Sequence, residues 1–87
     1  MDTPPLLQYP CDYPIKVMAR ASPQLRATLD AILARHGGPT ALAHVTERPS
    51  KQAHFIGVTY VIQAQGEGQI AALFAELKTC PAVLMVI

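Results

Sequence analysis

Apolar residues recur along this 87-residue chain with two alternating periods, and the order of those periods predicts its architecture. Over residues 13–19 the period is two. Ile15, Val17 and Ala19 fall on one side and Lys16, Met18 and Arg20 on the other, the signature of a half-buried strand. Pro14 stands near the strand start, where a missing N–H is tolerated. Leu25, Leu29, Ile32, Leu33 and His36 then follow a helical period that leaves Arg26, Asp30 and Arg35 off the stripe. Ser22 is placed to cap this helix and Pro23 to occupy its first position, while Gly37-Gly38-Pro39 stops it. Residues 42–48 read as a weakly patterned second strand at a sheet edge, and residues 49–53 as a polar hairpin tip. The strongest strand signal spans residues 55–64, where Ile56, Val58, Tyr60 and Ile62 share one face. After a turn at residues 65–68, Ile70, Leu73, Phe74 and Leu77 form the apolar stripe of a second helix, which Cys80-Pro81 breaks. Residues 82–87 make a final, wholly apolar strand.

The order β-α-β-β-α-β predicts an α+β, ferredoxin-like sandwich: a four-stranded antiparallel sheet in the order 4-1-3-2 with two helices on one face. Residues 1–12 are proline-rich and read as an extended N-terminal arm, pinned by Leu6, Leu7 and Tyr9. Residues 13–87 then form a single domain. Strict alternation sends Val83, Met85 and Ile87 under the helices with the Ile56–Ile62 face. It leaves Lys16, Met18, Thr46, Phe55, Thr59, Val61, Leu84 and Val86 on the open face. Met18, Phe55, Val61, Leu84 and Val86 are the apolar part of that face and the expected partner-binding surface, for a homodimer or another protein.

Composition changes the picture in two ways. A hydrophobic fraction of 51% is enough to build a core, while only 15% of residues are charged, which leaves apolar surface for a contact. The formal net charge of +1 argues against a dedicated nucleic-acid binder, which usually shows a strong basic excess. No apolar run approaches the ~20 residues of a membrane helix. Met1-Asp2-Thr3-Pro4-Pro5 lacks the charged-then-apolar order of a signal peptide. Cys11 and Cys80 are expected to be reduced, as in a cytoplasmic protein, because they fall at opposite ends of the sheet, ~15–20 Å apart.

Candidate chemistry is sparse. His36, His44, His54, Cys11 and Cys80 show no metal-ligand spacing, so no metal is expected. His54 could approach Cys80, but a small apolar residue before a strand accounts for Cys80 equally well. The six carboxylates are scattered, with no acid–base pair among them. No catalytic residue and no cofactor is therefore assigned, and the chain is expected not to be an enzyme. One end of the sheet does gather polar groups: Ser22 at the first helix start, with Arg48, Ser50, Lys51 and His54 from the hairpin. Free helix N–H groups beside two cations would suit a small anionic effector. The alternative is an RNA-binding module on the open face, echoed faintly by His54-Phe55-Ile56-Gly57-Val58. Only Phe55 of that stretch would face nucleic acid, and Tyr60 should be buried.

The segment Tyr9-Pro10-Cys11-Asp12-Tyr13-Pro14-Ile15-Lys16-Val17-Met18 resembles the start of the YbeD-like proteins, a family of small bacterial proteins of unknown function described as proposed lipoate-regulatory proteins. Leu73-Phe74-Ala75-Glu76-Leu77 and the ending Val83-Leu84-Met85-Val86-Ile87 resemble that family too. The chain departs from it at the hairpin, where Pro49-Ser50-Lys51-Gln52-Ala53-His54-Phe55-Ile56-Gly57 replaces a Ser-rich, Gly-containing loop followed by Tyr-x-Ser. The resemblance implies a ferredoxin-like fold similar to ACT regulatory domains. It also implies a non-enzymatic regulatory or adaptor role, through a protein contact or a small effector, with a link to lipoate metabolism.

Overall fold

The alternation of the first strand is realised over ten residues. In the computed structural model, which describes residues 8–38, 40–52 and 54–87, β1 runs Cys11–Arg20 and is followed by α1 (Leu25–Gly37), β2 (Val45–Pro49), β3 (Phe55–Ala64), α2 (Glu67–Thr79) and β4 (Val83–Val86). The strands form one antiparallel sheet ordered β2-β3-β1-β4, which is the expected order read from the other side. Of the expected arm, Leu6 and Leu7 lie outside the described residues, whereas Cys11 and Asp12 already belong to β1. Cys11 pairs at one end of β1 with Ala64, and the N–H of Arg20 at the other end bonds to the Ala82 carbonyl, 2.9 Å away. Nine residues of strand rise set Cys11 and the Cys80 end about 30 Å apart, farther than the sequence suggested.

One face of the sheet is the core. Ile15, Val17 and Ala19 of β1 and Val58, Tyr60 and Ile62 of β3 are buried against Leu25, Leu29, Ile32 and Leu33 of α1 and Leu73 and Leu77 of α2. Each such aliphatic side chain contributes roughly 1.5–3 kcal/mol of burial, so these residues dominate the stability of a small domain.

β4 departs from its expected pattern. Met18 pairs with Met85 but the next residue, Ala19, pairs with Val83, so Leu84 is an extra residue in the ladder. A one-residue insertion flips every side chain beyond it to the other face. Val83 and Val86 therefore pack against the core, while Met85 and Ile87 are 53% and 61% exposed. Val86 thus leaves the expected partner surface, and Met85 and Ile87 leave the expected core. Leu84, 52% exposed, stays outside.

The helix ends also differ. α1 is preceded by a turn in which the Leu25 N–H donates to the Ser22 carbonyl at 3.2 Å; its cap residue is Gln24, and no side chain caps it. Pro23 sits in that turn, ahead of the helix. Gly38 ends α1 with φ +82°, a conformation that favours glycine. α2 begins three residues earlier than its apolar stripe. The Gln69 side-chain carbonyl accepts the Gln65 N–H at 2.5 Å, while its amide donates to the His36 carbonyl at 2.7 Å, tying the end of α1 to the start of α2.

Candidate functional site

The two layers treat charge differently. On the helical side both arginines are paired. Arg26 binds Asp30 through Nε at 2.8 Å and also meets Glu47 of β2. Arg35 and His36 both contact Glu76 across the helix pair, His36 Nε2 at 2.6 Å. The Arg35 guanidinium, followed by His36, holds the Glu76 carboxyl below its ordinary value, and the Asp30 bond is the main cause that raises Arg26 above its own. The Tyr60 hydroxyl reaches out of the core to donate to Asp30 at 2.7 Å. Burial, then this bond, pushes Tyr60 upward.

The open face is different. Strand register lays out its rows. Arg48, Gly57, Met18 and Met85 lie side by side across the four strands, with Thr46, Thr59 and Lys16 in the next row and Phe55 opposite Arg20 beyond. Lys16, Arg20 and Arg48 thus share the half of this face nearest the β2–β3 hairpin, and Lys51 is exposed in the hairpin itself. None of the four has an ion-pair partner among the described residues. Of the described side-chain carboxylates, only Asp12 belongs to this face, at its far end opposite Gln63. A chain of net charge +1 therefore gathers unpaired cations on one surface, opposite a layer whose arginines are paired.

Within that surface lies a cavity of about 220 Å³, lined by Lys16, Met18, Arg48, Ser50, Phe55 and Gly57 among others. Its walls are mostly carbon, with Lys16 and Arg48 supplying the two cationic residues of its lining. Gly57 forms the floor because it has no side chain: a Cβ there would stand 3.2 Å from Met18 Sδ and 3.5 Å from Lys16 Cε. Ser50 closes the hairpin, its N–H donating to the Phe55 carbonyl at 2.9 Å and its Oγ accepting the Phe55 N–H at 3.3 Å.

The residues expected to form one anion site are only partly brought together. Arg48 and Ser50 line the cavity; Lys51 and His54 are exposed beside it in the hairpin. Ser22 is exposed next to the hairpin, since the Ala21 N–H donates to the His54 carbonyl at 2.9 Å. The cavity opens on the side away from α1, so the first-turn N–H groups of that helix are not part of it. Met18 and Phe55, expected at a partner surface, line the same cavity. Val61 instead borders a second depression of about 230 Å³ near Asp12 and His44. Sequence reasoning placed Lys16 on this face but missed it, Arg20 and Gly57 as candidates. Their signal was the two-residue alternation of β1 read together with the register of β3. Among the described residues, no three His, Cys, Asp or Glu side chains cluster as metal ligands, and no helix is long and apolar enough to cross a membrane.

Comparisons with known proteins give the chain its relatives. The profile of a family described as proteins of unknown function, DUF493, matches residues 4–87. A "UPF0250 protein" from Hahella chejuensis is 32% identical over 83 residues, covering 95% of this chain and 91% of that protein. A UPF0250 protein from Bordetella pertussis is 33% identical over 82 residues, covering 94% and 90%. Among solved structures, protein HP0495 from H. pylori superposes with a TM-score of 0.75 at 18% identity, covering 97% of this chain and 88% of that one. The C-terminal domain of the MgtC protein from Mycobacterium tuberculosis gives 0.66 at 19% identity, covering 94% and 89%. At such identities the structural likenesses establish the fold alone. The family match and the relatives bear out the resemblance of the two chain ends to the YbeD-like proteins, and the chain belongs to the DUF493 (UPF0250) family of proteins of unknown function.

Proposed function

We propose that this chain is a non-enzymatic regulatory or adaptor domain that acts by holding a partner on its open sheet face. The observation that supports this most is the gathering of Lys16, Arg20, Arg48 and Lys51 around an apolar cavity, opposite a layer whose arginines are already paired. Collecting like charge on one surface costs repulsion that a mixed surface avoids, and an anionic partner recovers that cost while gaining steered association. The exposed Phe55, Leu84 and Met85 add apolar contact area to the same region. The family resemblance and the ACT-like topology support a controlling role in the cytoplasm, linked to lipoate metabolism.

The test compares capture from native lysate by the wild type, by Arg48→Glu and Lys16→Glu on the open face, and by Lys78→Glu on α2. The expected result is a partner lost by the open-face variants and kept by the helical one; loss with Lys78→Glu instead would move the working surface to the helices. Sedimentation of the wild type and Leu84→Lys at ~100 µM, where even weak dimers appear, separates the possible occupants. A dimer weakened by Leu84→Lys makes the occupant a second copy, and a monomer leaves a foreign partner.

Single-stranded RNA is the second reading, favoured by the same cations with Phe55 beside Arg20. Against it, Phe55 is the sole aromatic that the strands place on this face, where such modules stack two or three bases. RNA binding is expected to be weaker than ~10 µM at physiological salt; salt-sensitive submicromolar binding lost in Phe55→Ala would reverse the ranking.

A further inference from the structure

We infer, taking the open face as the working surface proposed above, that the cavity over Gly57 receives one apolar side chain from an acidic segment of a partner protein, whose flanking carboxylates pair with Lys16, Arg48 and their neighbours.

The size of the cavity points first to a single side chain. At about 220 Å³ it falls below the roughly 300–1,000 Å³ of pockets that enclose whole small-molecule ligands. It suits the kind of apolar anchor that carries most of the energy of a protein contact. Gly57 points the same way. It is the third residue of β3, already inside the ladder, and its backbone does not occupy the left-handed region, so no conformational need requires glycine there. Glycine inside a strand gives up side-chain packing, and what it supplies here is room. The walls are adaptable, because the Met18 thioether and the Lys16 stem can move to fit an inserted group.

Charge then selects the flanks. Arg48 and Lys16 stand on opposite sides of Gly57, on strands about 10 Å apart, so carboxylates one or two residues either side of an anchor reach both. Arg20 and Lys51 extend the cationic field in the direction of the hairpin. A two-fold contact between copies centred on the cavity would set these cations against their own equivalents. Single-stranded RNA would meet one aromatic and a hole where it needs a stacking platform.

The probe is a pooled set of labelled peptides of about 12 residues. Their central position is Leu, Phe, Met, Ala or Gln, and their flanks are all Glu or all Gln. The full-length chain is used, with fluorescence anisotropy following selection. Peptides with an apolar centre and Glu flanks should be enriched, and each should lose at least about tenfold in affinity on a centre-to-Ala or Glu-to-Gln change. Arg48→Glu and Lys16→Glu should weaken them about tenfold more and reduce the salt dependence. Gly57→Val should abolish binding, with a folded state checked by its thermal midpoint, since its side chain fills the floor and must displace the flexible Met18 thioether. Should the valine unfold the domain, Gly57→Ala and the charge reversals, which sit on exposed side chains, still decide. Enrichment that ignores the central residue, binding indifferent to Gly57→Ala and to the reversals, or an oligouridylate that competes better than any peptide would overturn the inference. A lysate partner that still depends on Arg48 but carries no such acidic segment would leave the open-face reading standing and sink this one.

Discussion

Removing the Tyr60 hydroxyl tests how the core is joined to the charged helical layer. Tyr60 is fully buried as a residue, yet its hydroxyl donates to Asp30 Oδ1 at 2.7 Å, and the same oxygen accepts Arg26 Nε at 2.8 Å. Tyr60→Phe keeps the ring and deletes one hydrogen bond to a charged acceptor, an interaction worth roughly 1.5–3 kcal/mol. Asp30 retains Arg26 and some solvent, which places the expected loss at the lower end, about 1.5–2 kcal/mol. For a domain of this length that lowers the thermal midpoint by roughly 6–16 °C. Asp30→Ala should cost more, about 2–3 kcal/mol, because it strands a buried hydroxyl and breaks the pair with Arg26. In the Asp30→Ala background Tyr60→Phe should be nearly neutral, giving a coupling of about 1.5 kcal/mol in urea melts followed by circular dichroism. The pH dependence supplies a second measure. The folded Tyr60 loses its proton at higher pH than the unfolded chain, so its contribution is complete below about pH 10 and declines above it, by up to about 1.4 kcal/mol per pH unit. Tyr60→Phe should flatten that decline. A Tyr60→Phe cost below ~0.5 kcal/mol, with an alkaline slope unchanged from wild type, would refute the buried hydroxyl–carboxylate link.

Three further outcomes are expected. Leu77→Ala, at a fully buried position between α2 and the sheet, should cost ~2–5 kcal/mol in a denaturant melt; a loss below half a kcal/mol would mean the helix register is wrong. Gly37→Ala should cost about 1–3 kcal/mol, because its new Cβ would stand 2.7 Å from Ala41 Cβ and 2.9 Å from Ile62 Cγ2, where nothing can yield cheaply. Glu76 ionises more easily in the folded chain than unfolded, so its contribution is present above the ordinary Glu value of about 4.3 and is lost as pH falls past it. Acid melts of Glu76→Gln should accordingly show a shallower loss of stability than the wild type.

The legibility of this chain followed the contrast in its patterns. β1 and β3 alternate apolar with polar or small residues, so their faces, their central position and the placement of Met18 and Phe55 on the open face could be read directly. β4 is wholly apolar and offers no contrast, so an extra residue at Leu84 could not be anticipated and its parity came out reversed beyond that point. The Ser22-Pro23 pair looked like a cap, but the chain spends those residues on a turn that brings Ala21 alongside His54. The site was hidden by an average. A net charge of +1 argued against a nucleic-acid binder, because it sums the unpaired cations of the open face with carboxylates that lie mostly on the helical side. Lys16 and Arg20 were visibly on one face from the spacing of β1, but Arg48 joins them only through the β2–β3 register, which a weakly patterned edge strand does not reveal.

The four unpaired cations at the hairpin end, with most carboxylates on the helical side, give the molecule a dipole. Near its isoelectric point, about pH 7.8, a protein with interspersed charges drifts past an ion exchanger of either sign. This one should instead turn its β2–β3 hairpin end toward a sulfonate resin and be retained at zero net charge, because the resin feels the nearest surface within a Debye length of ~10 Å and not the sum. The same torque would orient the domain as it nears any negative body, so encounters begin with the open face turned forward.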